Sequence, residues 1–278
     1  MAFNSEVLSL EFEGHVATLW LDRPDARNAL GSAFWRDLPL ACAEVASNRD
    51  ARVLVVAARG PHFTVGLDLK ELGAGLVTGD ASAGASSKAA GNDATYRAIR
   101  SMQHSVNALA DLAIPVIAAV HGYCIGGGVD LICACDIRLA SAESTFSVRE
   151  AKVAIVADLG TLQRLPRIVG AGHVAELAFT GNDIDAERAA AIGLVNSVHG
   201  QHASDVLEAA YLLADDIAAN SPLAVRGTKS VLAANDGRSI AEGLEFVARW
   251  NTLYLQSNDL REAMTAFLEH RSPVFRGD

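Results

Sequence analysis

The sequence predicts an α/β fold with a helical C-terminal part, and three observations carry that prediction. Two runs of small and β-branched apolar residues, 52–58 and 115–120, each pass through a glycine-bearing turn into a helical pattern. After Arg52 both runs are continuously apolar instead of alternating, the habit of strands covered on both faces. Beyond about residue 200 only helical patterns remain, so 1–200 reads as a mixed core and 201–278 as a helical region.

Taken in order, residues 7–12 and 15–21 alternate around Glu13-Gly14, the signature of a hairpin. A polar loop with two arginines, 22–30, leads to a helix over 32–47 that turns Phe34, Trp35, Leu38, Ala41, Cys42 and Val45 to one side. Ser32 is its candidate cap, and Pro39 predicts a kink or a late start. The strand at 52–58 leaves through 59–66 into a helix start at 67–72. Residues 73–91 are Gly-, Ala- and Ser-rich, which predicts a mobile surface loop, either a lid or a passive insertion. A helix over 94–112 precedes the strand at 115–120, the turn His121–Gly128 and a buried helix over 129–135. Short strands are expected at 136–140 and 144–148, then helices at about 172–180, 185–192, 203–219, 221–234 and 239–269.

Composition narrows the function. A net charge of -10 argues against nucleic acid or an anionic membrane as partner, and a polyanionic ligand would need a local basic cluster set against that field. No apolar run reaches the roughly 18 residues of a membrane span, and the start Met-Ala-Phe-Asn-Ser-Glu has no secretory pattern, so a cytoplasmic protein is expected. Cys42, Cys124, Cys133 and Cys135 lack metal-site spacing; they read as buried reduced thiols, with no metal expected.

The chemistry concentrates around residues 126–158. Gly126-Gly127-Gly128 between a strand and a helix exposes main-chain N–H groups at a helix start, a place that favours negative charge. A plain tight turn is the bland alternative. Asp130, Glu150 and Asp158 follow in apolar surroundings, where carboxylates are costly unless paired, hydrogen-bonded or protonated. Burial and mutual repulsion raise their pKa values toward neutrality, which suits an acid or base; Asp158 could instead cap a helix. His121 reads as a satisfied core histidine. With no G-x-S-x-G, no phosphate loop and no G-x-G-x-x-G, two amide donors plus acid/base carboxylates point to stabilising an enolate while protons move beside a carbonyl.

The stretch from His121 to Arg138, with Phe63-Thr-Val-Gly-Leu-Asp-Leu69 upstream and Gly160-Thr-Leu-Gln-Arg-Leu-Pro166 downstream, resembles the enoyl-CoA hydratase/isomerase (crotonase) superfamily over nearly the whole chain. The resemblance implies a spiral of ββα units with a C-terminal helical trimerisation region, an acyl-CoA thioester as substrate, and a homotrimer or hexamer. It implies no cofactor beyond the coenzyme A of the substrate. It places the oxyanion hole on the amides of Leu67 and Gly127, and substrate contacts on Val65, Gly66, Leu67, Asp68, Leu69 and Gly127. Arg27 and Lys70 are implied for the phosphates, with a solvated charge as the alternative for each. Hydratases of the superfamily carry glutamates at the positions of Asp130 and Glu150 and typically glycine at that of Asp158. The Asp, Glu, Asp triple here is similar to that of the Δ3,5-Δ2,4-dienoyl-CoA isomerases. That similarity implies a double-bond isomerase of fatty-acid β-oxidation, with a hydratase as the alternative and a non-catalytic crotonase-fold binding protein behind both.

Overall fold

Apart from Thr18, Val16–Leu21 (β2) and Val53–Ala58 (β3) carry only apolar side chains, and all twelve residues are buried. In the computed structural model, which describes residues 3–71 and 87–278, these two are parallel neighbours inside a six-stranded sheet. Leu8–Glu13 (β1) pairs antiparallel on one side of β2, completing the expected hairpin. On the other side of β3 come Val116–Val120 (β4), Ile137–Ala140 (β6) and Ser197–Val198 (β9), all parallel. A second sheet of three short strands, Tyr123–Ile125 (β5), Thr145–Ser147 (β7) and Ile184–Asp185 (β8), branches off beside the glycine turn.

The helices that lie wholly within the described residues are, in chain order, α1 (Ser32–Ser47), α2 (Lys88–Ala110), α3 (Gly127–Ala134), α4 (Thr161–Val169), α5 (Ala171–Thr180), α6 (Ala186–Ala191), α7 (Ala203–Ala218), α8 (Pro222–Ala234), α9 (Ile240–Tyr254) and α10 (Asn258–Leu268). Because strand side chains alternate between faces, β2 to β4 feed two cores. Leu19, Leu54, Val56 and Ala118 meet Phe34, Leu38, Val106, Leu109 and Leu131 of α1, α2 and α3 on one face. Trp20, Val55 and Ile117 meet Val206, Ala210, Ala214 and Ala218 of α7 on the other. The helical stretch beyond residue 200 therefore begins with a layer of the central core. Among the described residues no helix is long and apolar enough to cross a membrane. All four cysteines are buried and free.

Several expectations need correction. Ser32 does not cap α1: Gly31 stands at the cap, and the Glu71 carboxylate accepts the Ser32 N–H (3.1 Å) and its hydroxyl, supplying the acceptor from far along the chain. Pro39 does not delay α1. It removes the donor that would engage the Trp35 carbonyl four residues back, and Ser105 Oγ of α2 donates to that oxygen instead, at 2.5 Å. Most of the expected loop 73–91 lies outside the described residues. Its end is helical, because Ser87 Oγ accepts the Ala90 N–H and starts α2 at Lys88. The single helix expected over 239–269 is two, since Ser257 Oγ accepts the Leu260 N–H and opens α10 afresh. A helix absent from the expected set, α4, runs through Pro166 with Thr161, Leu165 and Val169 on its buried stripe.

Arg138 shows how the sheet edge is fastened. It is 8% exposed, and its guanidinium donates to the carbonyls of Leu194 and Cys135, both at 2.8 Å, while the Arg138 carbonyl accepts the Asn196 N–H. Arg138→Leu strands two buried acceptors while removing a buried charge, and the first effect dominates. We expect it to lower the unfolding free energy by about 2 to 4 kcal/mol, read as a lower urea midpoint at unchanged slope.

Candidate active site

Two chain segments meet at the end of β4. After β3, residues 63–67 run as an extended segment parallel to 121–125: Phe63 N donates to His121 O, Thr64 N to Tyr123 O, and Ile125 N to Thr64 O. The bridge pairs Thr64 with Cys124, and beyond it the segments stay close: a Cβ on Gly127 would stand 4.0 Å from Leu67 Cδ2. Leu30 holds the first segment from behind, its N–H donating to Gly66 O and its carbonyl accepting Asp68 N–H. Among the described residues, the amides of Leu67 and Gly127 donate to no other group, and Gly127 is the first residue of α3.

Close approach explains the glycines at two positions. At Gly66, with φ +84°, a Cβ would stand 2.7 Å from Ile125 O and 3.5 Å from Gly127 N. At Gly128 a Cβ would fall 2.5 Å from Thr64 Cγ2. Neither segment could carry a side chain there and still lie against the other.

All three carboxylates expected from sequence come to this place. Asp130, in the first turn of α3, is 1% exposed, and its Oδ1 accepts the Thr161 N–H at 2.6 Å from the start of α4. Burial pushes its pKa up to about 6, the Thr161 donor opposes that, and the charge of Asp158 adds to it. Glu150 opens a short 3-10 turn, Glu150–Val153, and approaches the glycine turn closely: a Cβ on Gly126 would be 3.3 Å from Glu150 Oε1. Its Oε2 is buried with no hydrogen-bond partner. Burial raises its pKa to about 7, with the charges of Asp130 and Asp158 adding to the effect. Asp158, half-buried, is also raised by burial, and its own amide partly offsets this. Gly160, not Asp158, stands at the cap of α4. His121 is the core histidine expected, its Nε2 at 2.9 Å from Gly60 O.

On the outer side of Leu67 opens a cavity of about 540 Å³, lined by Arg23, Arg27, Val65, Leu67, Leu69 and Lys70 among others. Arg27 and Lys70 are both exposed at it, the local basic cluster that the overall acidity required. Asp68 also lines the cavity, but its carboxylate is engaged: Arg23 Nη1 donates to it at 2.7 Å, and the amides of Lys70 and Glu71 donate to Oδ1. The Arg23 bond first, and those amides after it, hold its pKa below the usual carboxylate range.

Sequence reasoning missed the residues that hold this arrangement together. Asn28, buried at φ +54°, donates through Nδ2 to the carbonyls of Arg59 and His62, both at 2.9 Å, and its Oδ1 accepts Arg23 N–H. Asparagine's tolerance of the left-handed region was the one available signal. Thr161 and Gln103 gave none: Thr161 acts through its own main-chain N–H on the distant Asp130 carboxylate, and Gln103 donates to the main-chain carbonyl of the distant Asp158. Among the described residues no cluster of three or more His, Cys, Asp or Glu side chains could hold a metal ion.

The comparisons with known proteins agree on one group. The family model described as enoyl-CoA hydratase/isomerase matches residues 11–278. The chain is 41% identical over 270 residues to the peroxisomal Delta(3,5)-Delta(2,4)-dienoyl-CoA isomerase of Arabidopsis thaliana, covering 97% of this chain and 96% of that one. It is 42% identical over 261 residues to the mitochondrial Delta(3,5)-Delta(2,4)-dienoyl-CoA isomerase of Dictyostelium discoideum, with 94% and 87% covered. The crystal structure of an enoyl-CoA hydratase from Bacillus anthracis matches its fold with a TM-score of 0.86 at 29% identity, covering 98% of this chain and all of the other.

Proposed function

The chain belongs to the enoyl-CoA hydratase/isomerase family and has its α/β spiral fold, and from that premise we propose that it is a Δ3,5-Δ2,4-dienoyl-CoA isomerase. The observation that carries this reading is the pair Glu150 and Asp158: Glu150 lies against the glycine turn that carries the unengaged Gly127 amide, and Asp158 stands near enough for its charge to act on Glu150. The names of the relatives, isomerases of this specificity, point the same way.

In the proposed reaction the thioester oxygen accepts hydrogen bonds from the Leu67 and Gly127 amides, each worth roughly 2.7 to 4 kcal/mol of transition-state stabilisation in comparable sites. Glu150 takes a proton from C2. The electron pair of that C–H bond moves onto the conjugated system, and the dienolate charge rests on the oxygen held by the two amides. Asp158, in its protonated form, then gives a proton to C6. The double bonds have moved from positions 3 and 5 to 2 and 4, with Glu150 left protonated and Asp158 ionised. Both are partly exposed, so exchange with solvent resets them. Asp130 assists by raising the proton affinity of Glu150. A hydratase needs its two carboxyls directed at one water, which gives Asp158 no task.

Arg27 and Lys70 are proposed for the phosphates of coenzyme A, with Val65, Leu69 and the Arg23–Asp68 pair shaping the passage to Leu67 and Gly66 keeping its segment against Ile125. The proposed chemistry calls for no cofactor beyond that coenzyme. A homotrimer, alone or paired as a hexamer, is supported by the apolar side chains that α8 to α10 leave exposed, among them Leu232, Leu244, Leu253 and Phe267. Four free buried thiols suit a reducing compartment, for which we propose the cytoplasm; the relatives named above are peroxisomal and mitochondrial.

The deciding experiment mixes purified protein with a 3,5-dienoyl-CoA and follows the absorbance of the 2,4-dienoyl product. Rapid growth of that signal is expected. Its absence, together with fast addition of water to a 2-enoyl-CoA, would reassign the chain as an enoyl-CoA hydratase.

A further inference from the structure

Helix α2 lays two side chains, one turn apart, against the segment that carries Asp158. Gln103 Nε2 donates to the main-chain carbonyl oxygen of Asp158 at 2.6 Å, and four residues on, Asn107 Oδ1 accepts from Arg164 Nη2 at 2.6 Å. The Gln103 amide is oriented: Arg100 Nη1 donates to its Oε1 at 2.7 Å, so the oxygen is taken and the NH₂ end faces the carbonyl. Arg164 crosses Gly160, φ +131°, so closely that its guanidinium occupies the place of a Cβ. One residue further, the Thr161 amide holds Asp130. The stretch 158–164 is thus tied at both ends to α2 and in the middle to α3.

Asp158 reaches the site on a short side chain, so a shift of its main chain, which the Gln103 bond restrains, carries the carboxyl with it. We propose that Gln103 is a positioning residue for the proton transfer at C6, its amide fixing the peptide of Asp158 and thereby where the carboxyl stands along the acyl chain. The proposal rests on the reading of Glu150 and Asp158 given above. Gln103 is neutral and bonds a carbonyl oxygen, not the carboxylate, so its loss displaces the acid more than it alters its charge. Glu150 belongs to a different segment and keeps its place.

The test compares the parent with Gln103→Met, similar in size but without a donor, and with Arg100→Ala, an exposed change that removes only the orienting partner. Each is assayed with a 3,5-dienoyl-CoA in D₂O, recording kcat, KM and deuterium uptake at C2 and at C6. A misplacement near 1 Å costs about 100-fold, so a smaller main-chain shift in Gln103→Met is expected to lower kcat about tenfold at unchanged KM. Uptake at C6 falls relative to C2, and Arg100→Ala shifts the ratio less in the same direction. A C6-to-C2 ratio equal to the parent's in both variants overturns the proposal, whatever happens to kcat, because a merely structural loss slows both exchanges together. Should Gln103→Met not fold, the Arg100→Ala ratio decides alone. A parent without isomerase activity would instead overturn the functional reading, and this inference with it.

Discussion

Glu150→Gln is expected to abolish isomerisation and, at the same time, to make the protein harder to unfold at pH 8. The first effect follows from the loss of the base proposed for C2, on the order of 100- to 10,000-fold in kcat, with deuterium uptake at C2 disappearing from the acyl chain. The second follows from linkage. In the unfolded chain a glutamate titrates at its ordinary value; in the folded protein burial, then the charges of Asp130 and Asp158, hold Glu150 at about 7. Between those values the folded state binds the extra proton, so stability falls as pH rises through this window and the full cost is present above pH 7. Glutamine cannot ionise and escapes it. Discounted for partial exposure, the gain is on the order of 1 to 3 kcal/mol at pH 8 and shrinks toward zero by pH 5. Urea titrations of both proteins at the two pH values measure it. Equal midpoints at pH 8 would mean that Glu150 is not held in a desolvated, crowded place, and the basis for calling it a base near neutrality would go.

That cost was visible in the sequence, where three carboxylates sit among apolar residues. The structure adds what opposes it, and this is the part that sequence could not carry. Thr161 reaches Asp130 through a main-chain N–H, which every residue but proline has, so nothing in the letter at 161 announces the bond. The same holds for Glu71 at the start of α1 and for Gln103 at the Asp158 carbonyl: each acts across tens of residues, on a backbone group. Strands were legible where they are long and covered on both faces, as β2 to β4 are. The three-stranded sheet was less so, because β5, β7 and β8 have two or three residues each, too few for a period to register. Helix α4 was hidden by Pro166, although Thr161, Leu165 and Val169 recur at helical spacing. The site was legible to the extent that glycines and acids mark it, and opaque where its support is main chain.

Gly66→Ala tests the other half of the chemistry, the amide pair. A methyl group at this position meets Ile125 O at 2.7 Å and Gly127 N at 3.5 Å, and those are atoms of the segment that presents the second donor. Backbone cannot yield as a flexible side chain can, so the two segments move apart, and with them the amides of Leu67 and Gly127 proposed above for the thioester oxygen. Removing one such donor costs about 100- to 1,000-fold in kcat, and we expect a loss of that order. KM should change little, because the interaction strengthens as charge develops on the oxygen. The substitution also forces alanine to φ +84°, which destabilises by roughly 1 to 3 kcal/mol by itself. Gly14→Ala separates the two causes. Gly14 sits in the β1–β2 turn at φ +56°, and a methyl group there would have nothing within 4 Å, so that variant bears backbone strain without displacing a neighbour. If both variants lose stability and only Gly66→Ala loses kcat, the spacing of the two amides is what the reaction depends on. A Gly66→Ala enzyme with parental kcat would move the thioester oxygen away from these donors and leave the carboxylates without an enolate to serve.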